Sequence, residues 1–566
     1  MAYPVQAEVA YSGVASGDAT ERSAILWTRT VDDTSQKGVS TELMAQVAVD
    51  PSFASIPYTF EGKTNPDRDH SLKLDATGLQ SGTRYYYRFR TAEGALSPVG
   101  TFKTAPKERK KVAVRLAFSG DADGKWRPYG STQGFKQLNL DYFIFLGDTI
   151  YETKTNLSAE TADPFANFAQ ALTDYRRKYL ENLQATTPGG FTGLQTLFAA
   201  QGNYTLLDNH ELGNKQFING GAPAGSPAGK GVDATDPAND VNATGNFINK
   251  TDGFKALLQA YNDYQPIRER AIAAPEDPRT NGTQQLYLAQ RWGANHLFIN
   301  VDDRSYRDIR LKTALGADDT GPRADNPDRT MLGATQREWL KQTLKKAQTE
   351  GVRWKIIAVS SPIDETGDDG GKSWIGGYRS ERNELLKFIA DNDINNVVFL
   401  STDDHQNRIN ELTYRVDPSV PNSRTLVPNT FTIVAGPLGA GGPDSITDHS
   451  FGNLKALADQ LVAQQKVQGI DPLGLDPAFP GLKNVVREGD PDADKQRQPV
   501  DFFTPDTFNY VTLDINARGT LLTVNTYGVD SYQANVFPEV APPRRILSFQ
   551  IQAAKSKKME KEEERE

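Results

Sequence analysis

The chain contains no cysteine in its 566 residues. That excludes disulfide staples, thiolate metal ligands and cysteine nucleophiles. It leaves the compartment open, since a cysteine-free chain suits export and the cytosol alike. Long apolar runs are also lacking, and none approaches the ~20 residues a membrane-spanning helix needs. No transmembrane segment is expected. Basic charge is not in excess: the net charge of −9 argues against a stable, charge-driven nucleic-acid complex. No secretory leader is visible, because Met1-Ala2-Tyr3-Pro4 runs straight into strand-like sequence. A mature form whose leader is replaced by a start Met is the expectation. Histidine is scarce, with five copies, so the place of each one is informative.

What is present is an ordinary globular composition, 37% hydrophobic and 24% charged. The length is too great for one core, which predicts two domains. Residues 1–105 read as an all-β module. Thr83 to Arg90 alternates, with Tyr85, Tyr87 and Phe89 on one face and Arg84, Tyr86, Arg88 and Arg90 on the other. A small antiparallel sandwich fits. Pro106 to Lys111 is a short, charged, exposed linker.

From 112 to 552, strands alternate with helices, which predicts an α/β domain with mixed sheets. Strands are predicted at 112–119, 142–146, 203–207, 296–302, 354–360, 396–401, 429–434, 509–515 and 520–527. Helices are predicted at 163–186, 254–265, 335–349, 380–391 and 451–466. In the third helix, Thr335 and Glu338 have capping-box spacing, and Trp339, Leu340, Leu344 and Ala347 share a face. Residues 213–252 and 468–506 read as irregular, the first being expected to shape the walls of a site. The tail 553–566 is almost wholly charged and reads as a frayed end.

Four polar clusters follow β-type apolar runs. They are Asp121; Asp148 with Tyr151; Asp208-Asn209-His210-Glu211; and Asp403 with His405. Carboxylates, an amide, an imidazole and a phenol at strand ends form a ligand set for two adjacent hard or borderline cations. Two such cations are what phosphate-ester hydrolysis uses. Gly147 allows a tight exit before Asp148, whose two oxygens can serve two metals. The i, i+2 spacing in an extended segment puts Asp403 and His405 on one side. Each cluster also has a plainer reading. Asp121 can be a turn or helix cap, Asp123 adds only a weak D-x-D, and Asp208 to Glu211 can be a helix start. Of the other histidines, His70 lies in the β module and His296 opens a strand as a structural residue. His449 sits in a loop with no ligand cluster beside it.

Taken together these residues resemble the metallophosphoesterase superfamily, and more closely the alkaline phosphatase D family. The similarity runs through Gly13 to Asp18 with Ile25 to Arg29; Gly147 to Tyr151; and Asp208 to Glu211. It continues through Val301 to Arg307; Met331 to Leu340; Trp374 to Arg382; and Ser401 to His405. Some positions depart from the pattern. Thr402 stands where relatives have Gly, and the Trp374 to Arg382 segment has one extra residue. Asp121 stands where relatives have a Cys metal ligand, although purple acid phosphatases and the superfamily generally use Asp there. Asn209 stands where they frequently have Asp, which matches the superfamily's Asn and keeps an oxygen ligand. The resemblance implies a fibronectin-like β-sandwich followed by an α/β/β/α sandwich. It implies an alkaline phosphatase acting on small-molecule monoesters or diesters through a metal-activated water.

On that resemblance, Asp121, Asp148, Tyr151 and His405 are expected to hold one metal. Asp148, Asn209 and Asp403 are expected to hold the other. Fe³⁺ and Ca²⁺ are the expected ions, with Mn²⁺, Mg²⁺ or Zn²⁺ as alternatives. His210 is the candidate general acid. Arg304 and Arg379 are candidates to clamp phosphate, with structural ion pairing as the other reading. A monomer in the periplasm or outside the cell is expected. The rival functions are a phosphodiesterase or phospholipase D-like hydrolase, and a non-enzymatic, metal-stabilised surface-binding protein. The intact ligand set, with His210 retained, counts against the last.

Overall fold

Alternation along the buried strands decides the layering. In Val114–Ser119 and Tyr142–Phe145, the residues Leu116, Phe118, Tyr142 and Ile144 face one core, while Ala117, Phe143 and Phe145 face another. Successive side chains point to opposite faces, so a strand that is apolar on both must be covered on both. Trp354–Ala358 and Val397–Ser401 divide in the same way. Ile356, Ala358, Val398 and Leu400 join the first core, and Ile357, Val397 and Phe399 join a third. The shared core therefore lies between two sheets. Each of its large apolar side chains contributes about 1.5–3 kcal/mol of transfer free energy.

In the computed structural model, residues 9–32, 38–187, 189–213, 247–308, 310–311, 321–366, 373–417, 420, 423–442, 447, 449–468, 470–471, 473–489, 499–536, 539 and 541–554 are described. The readings made for 214–246 and for 555–566 lie outside them. One sheet has ten strands, in the order Leu482–Arg487, Arg544–Gln552, Leu521–Asp530, Thr507–Ile515, Val114–Ser119, Tyr142–Phe145, Gly202–Thr205, Val9–Gly17, Ala24–Asp32 and Ser71–Ala76. The facing sheet has seven, in the order Leu288–Arg291, His296–Asn300, Trp354–Ala358, Val397–Ser401, Arg424–Val434, Asn407–Arg415 and Phe503–Thr504.

The helices Phe168–Asn182, Gly193–Ala200 and Asp252–Tyr264 cover the outer face of the first sheet through Tyr175, Tyr179, Leu197, Leu257 and Tyr261. Ala334–Thr349 and Arg379–Asp391 cover the second through Leu340, Leu344, Leu385 and Ile389. The layering is thus helix, sheet, sheet, helix, the α/β/β/α arrangement with mixed sheets. Among the described residues, no helix is long and apolar enough to cross a membrane.

Three local expectations are corrected. The helix Ala334–Thr349 has no side-chain cap. The N-cap is Gly333, so Thr335 sits two residues too far in, and its hydroxyl donates to Asp277 Oδ2 at 2.7 Å, while Glu338 accepts from Gln342 at 2.7 Å. The region 468–506 contains a strand, Leu482–Arg487, paired with Arg544–Gln552. His449 does find an acid, with Nδ1 3.4 Å from Asp506 Oδ2.

At the N-terminus, Tyr85, Tyr87 and Phe89 are fully buried on one face of Arg84–Thr91, in a four-stranded sheet with Tyr58–Lys63, Glu42–Ala48 and Gly100–Lys103. The opposing strands of that module, Val9–Gly17, Ala24–Asp32 and Ser71–Ala76, do not form a sheet of their own. They extend the ten-stranded sheet, because Ser16 and Gly17 pair in parallel with Gly202 and Asn203. The β-sandwich and the α/β core share one continuous sheet.

Candidate metal centre

The parallel strands of both sheets end at the same place. Val114–Ser119, Tyr142–Phe145 and Gly202–Thr205 deliver Asp121, Asp148 and the Asp208–Glu211 segment from one side. His296–Asn300, Trp354–Ala358 and Val397–Ser401 deliver Asp303, Arg304, Ser360, Asp403 and His405 from the other. Carboxyl ends of parallel strands are where α/β sheets place their ligands. The chain turns abruptly there. Asp121, Asp148, Asp403 and His405 all have left-handed backbones, with φ of 60°, 54°, 70° and 53°. Asp tolerates that region better than most residues, yet it still costs about 1–3 kcal/mol where the fold imposes it. Gly147 precedes Asp148 at φ 112°, and a Cβ there would lie 2.5 Å from that of Asp208.

One carboxylate fastens these turns together. Glu211 accepts the N–H groups of Asp148, Thr149 and Asp208 at 2.9, 2.5 and 2.7 Å. The contact with the Asp208 N–H, three residues back, is that of an acid in a first turn, and the same carboxylate also fastens the Asp148 turn. Asp148 Oδ1 in turn accepts the backbone N–H of His210 at 2.9 Å.

Two groups of possible ligand atoms result, each with its atoms within 4.8 Å of one another. They are Asp121, Asp148 and His405, and Asp148, Asp208 and Asp403. Asp148 belongs to both. Tyr151 joins the first, with its hydroxyl 2.8 Å from His405 Nε2, which is itself 3.4 Å from Asp121 Oδ1. His405 Nδ1 lies against the Gly441 carbonyl, which can only accept, so Nδ1 carries the proton and Nε2 is turned toward the acids. Asn209 adjoins the second group. Its Oδ1 is buried without a hydrogen-bond partner, and so is Asp208 Oδ2.

The electrostatics ask for cations. Burial pushes the Asp148 carboxyl well above the usual carboxylate range, and the neighbouring charges of Asp208, Glu211, Asp121 and Asp403 push it further. Burial likewise raises Asp208, against the pull of Arg304. The Tyr151 phenol is held protonated by burial and then by Asp148 and Asp121. Burial alone would lower His405, but Asp121 overcomes it and lifts the imidazole to about 9. Acids crowded in a low dielectric, with partnerless oxygens aimed inward, fit hard cations.

The structure brings Asp121, Asp148, Tyr151, Asn209, His210, Asp403 and His405 together. It adds Asp208, which the sequence reading quoted only as part of a cluster. Asp403 and His405 do not share a side by lying on an extended strand. Two left-handed residues aim them at different groups. His210 stacks on Tyr151, with ring centroids 3.9 Å apart, and its Nδ1 contacts Glu152. Its Nε2 lies 3.9 Å from Asp148 Oδ2. Asp123 caps the turn Gly124–Trp126. The Thr402 hydroxyl contacts Asp121 Oδ2 and lies 2.9 Å from the Ala435 carbonyl, with one proton between the two acceptors. Arg304 reaches the second group. Arg379 instead binds Asp325 through Nε and Nη2, both at 2.8 Å, and is an ion-pair partner rather than a phosphate clamp.

A family model for PhoD-like phosphatases matches residues 118–469, and one for the N-terminal domain of PhoD-like phosphatases matches residues 3–106. Alkaline phosphatase D of Bacillus subtilis (strain 168) is 29% identical over 414 residues, 69% of this chain and 64% of that protein. The match thus spans a little under two thirds of that relative's length. A solved structure titled as that of PhoD superposes with a TM-score of 0.68 at 23% identity, covering 96% of this chain and 90% of that one. This last likeness is one of fold.

Proposed function

The chain belongs to the PhoD-like phosphatase family, and from that footing we propose that it hydrolyses phosphate esters at a two-cation centre. One observation carries the reading: two groups of ligand atoms, from buried and half-buried side chains, share the single carboxylate of Asp148. Asp121, Asp148, Tyr151 and His405 would hold the first cation, and Asp148, Asp208, Asn209 and Asp403 would hold the second. When bound, such cations supply Lewis acidity, bringing a water's pKa toward ~7 and offsetting charge on the phosphoryl oxygens.

The chain's own residues do the rest. Glu211 fixes the Asp148 and Asp208 turns through their N–H groups. Glu152 accepts from His210 Nδ1, which leaves Nε2 facing the centre as the group that returns a proton to the departing ester oxygen. The family resemblance supports alkaline phosphatase chemistry on small-molecule monoesters and diesters, by a monomer outside the cytoplasm that forms no stable nucleic-acid complex. Residues 1–105 and 112–552 are its two domains, sharing a sheet.

Exhaustive chelation, with metal loss followed by elemental analysis, should abolish turnover of aryl mono- and diesters, and metal re-addition should restore it. Undiminished turnover by metal-free protein would reject the mechanism. The ratio of the two substrates' kcat/KM decides between phosphatase and diesterase.

A phenolate among carboxylates favours a hard trivalent ion, so Fe³⁺ in the first position and Ca²⁺ in the second is the proposed pair, with Mn²⁺, Mg²⁺ or Zn²⁺ as substitutes. Iron-loaded protein should then be coloured, and Tyr151→Phe should bleach it without unfolding the chain. A coloured protein whose spectrum ignores that change removes Tyr151 from the ligands.

A further inference from the structure

Arg304 is the positively charged side chain that reaches into the second group of acids. Its side chain is 2% exposed. Nε pairs with Asp208 Oδ1, and Nη2 lies 2.8 Å from Asp403 Oδ2. The fork is held from behind. The Arg304 backbone N–H donates to Asp302 Oδ1 at 3.1 Å, and the Ser360 hydroxyl, with one proton, lies 2.8 Å from Asp208 Oδ1 and 2.7 Å from Asp303 Oδ1. Arg307, the next arginine, turns away to Asp303. Arg304 thus takes one oxygen of Asp208 and leaves the other, Oδ2, buried and without a hydrogen bond. An arginine cannot surrender its proton, so this charge is permanent.

We propose that Arg304 is a positioning residue that sets the net charge of the second cation position and so selects a divalent over a trivalent ion there. The proposal rests on the two-cation reading above. Three carboxylates, Asp148, Asp208 and Asp403, face one guanidinium, which leaves two negative charges, with Asp148 shared besides. That balance suits one divalent ion. Each further unit of charge on the ion is repelled by Arg304 across a poorly screened interior. A purely structural arginine would affect all ions alike, so the informative quantity is a ratio.

Metal-stripped full-length protein is titrated separately with Ca²⁺ and with Tb³⁺, read by calorimetry and by tyrosine-sensitised terbium emission. Asp208→Asn identifies which binding step belongs to the second position. In Arg304→Met, the preference for Tb³⁺ over Ca²⁺ at that step should rise by about tenfold or more, whereas Arg304→Lys, which keeps charge but loses the fork, should weaken both ions and hold the ratio within about threefold. Arg304→Gln keeps an N–H donor without the charge, and gives the same reading if the Met variant does not fold. An unchanged ratio in the neutral variants overturns the proposal while leaving the two-cation centre intact. A wild type that binds neither ion overturns the two-cation reading itself.

Discussion

Two sets of buried charges in this molecule are balanced in opposite ways. Between the helix Arg379–Asp391 and the strands Asn407–Arg415 and Arg424–Val434, two acids meet two arginines. Arg424 pairs with Glu365 and lies 3.5 Å from Asp471, and Arg382 lies 3.6 Å from Asp471 while donating to the Thr413 carbonyl at 2.9 Å. Among the described residues at the strand ends, Asp121, Asp148, Asp208, Asp403 and Glu211 face one guanidinium, Arg304, and two imidazoles, His405 and His210. Burial is equally deep in both places, with Asp471 at 2% exposure and Asp148 at 1%. What differs is the partner count. A buried charge matched by the chain is part of the scaffold. A buried charge left unmatched, on a strained turn, is an opening for something the chain does not encode.

The contrast breaks most visibly at Asp148. Asp148→Asn should cut turnover of the loaded enzyme by about 10³-fold, since the shared carboxylate serves both cations. The same change should raise the melting temperature of the metal-free protein, because it removes a charge that burial and four neighbouring acids disfavour. Activity retained with stability lost would move Asp148 into the scaffold set. Arg382→Met should do the reverse. Its neighbour Asp471 would lose a buried partner, and unfolding free energy should fall by about 3–5 kcal/mol in urea titrations, while kcat of the folded fraction is unchanged. A folded variant with wild-type stability and reduced kcat would contradict that assignment.

Next in size is His210→Ala. It should slow alkyl phosphates by about 10²-fold and nitrophenyl phosphate far less, because only a basic leaving oxygen needs a proton. Equal losses on both substrates would make His210 an orienting group. Asn209→Ala, removing a neutral ligand, should fall between His210→Ala and Asp148→Asn on nitrophenyl phosphate.

The smallest effect concerns a third kind of buried group, one kept neutral. His296 contacts the Tyr142 hydroxyl, and burial lowers its pKa from 6.5 to about 3. Its folded value is below its unfolded one, so the unfolded chain binds the extra proton. Its contribution is therefore complete above pH ~6.5 and is lost as pH falls toward ~3. His296→Gln keeps a hydrogen-bonding side chain without the titration. It should flatten the loss of stability between pH 7 and pH 5 by about 1–2 kcal/mol. Parallel pH profiles for both proteins would show that His296 titrates normally.

Much of this was legible in the chain. Runs of β-type apolar residues located the central strands, and helical patterns located Phe168–Asn182, Asp252–Tyr264, Ala334–Thr349 and Arg379–Asp391 to within about five residues, but the short covering helix Gly193–Ala200 was missed. The clusters after those strands marked the site, because acids follow apolar runs there without an evident partner. What stayed hidden depends on pairs far apart in sequence. Asp208 read only as one residue of a polar cluster, and its place in the second group shows once Arg304 arrives from the other sheet. Thr402 and Asp121, two of the positions where the family resemblance breaks, touch through the threonine hydroxyl, a contact that neither position alone suggests. Other family-like motifs turn out to hold the frame. Glu381 accepts the N–H groups of Met331 and Leu332 at 3.1 and 3.0 Å, joining the Met331 and Trp374 segments to each other rather than to the centre.

The ten-stranded sheet also bears on how the chain can be made. It leaves the ribosome from one end, yet its strands are not neighbours in time. Ser16 must wait for Gly202, and Phe118 must wait for Val511. Until then the edge of Val9–Gly17 and the flank of Val114–Ser119 present unpaired backbone to whatever is near, the condition in which nascent chains aggregate. Pairings so distant in sequence also fold slowly. The flank of Val114–Ser119 is therefore closed only once Thr507–Ile515, nearly four hundred residues later, has been made. Truncations at either end should be lost to inclusion bodies rather than recovered as smaller enzymes.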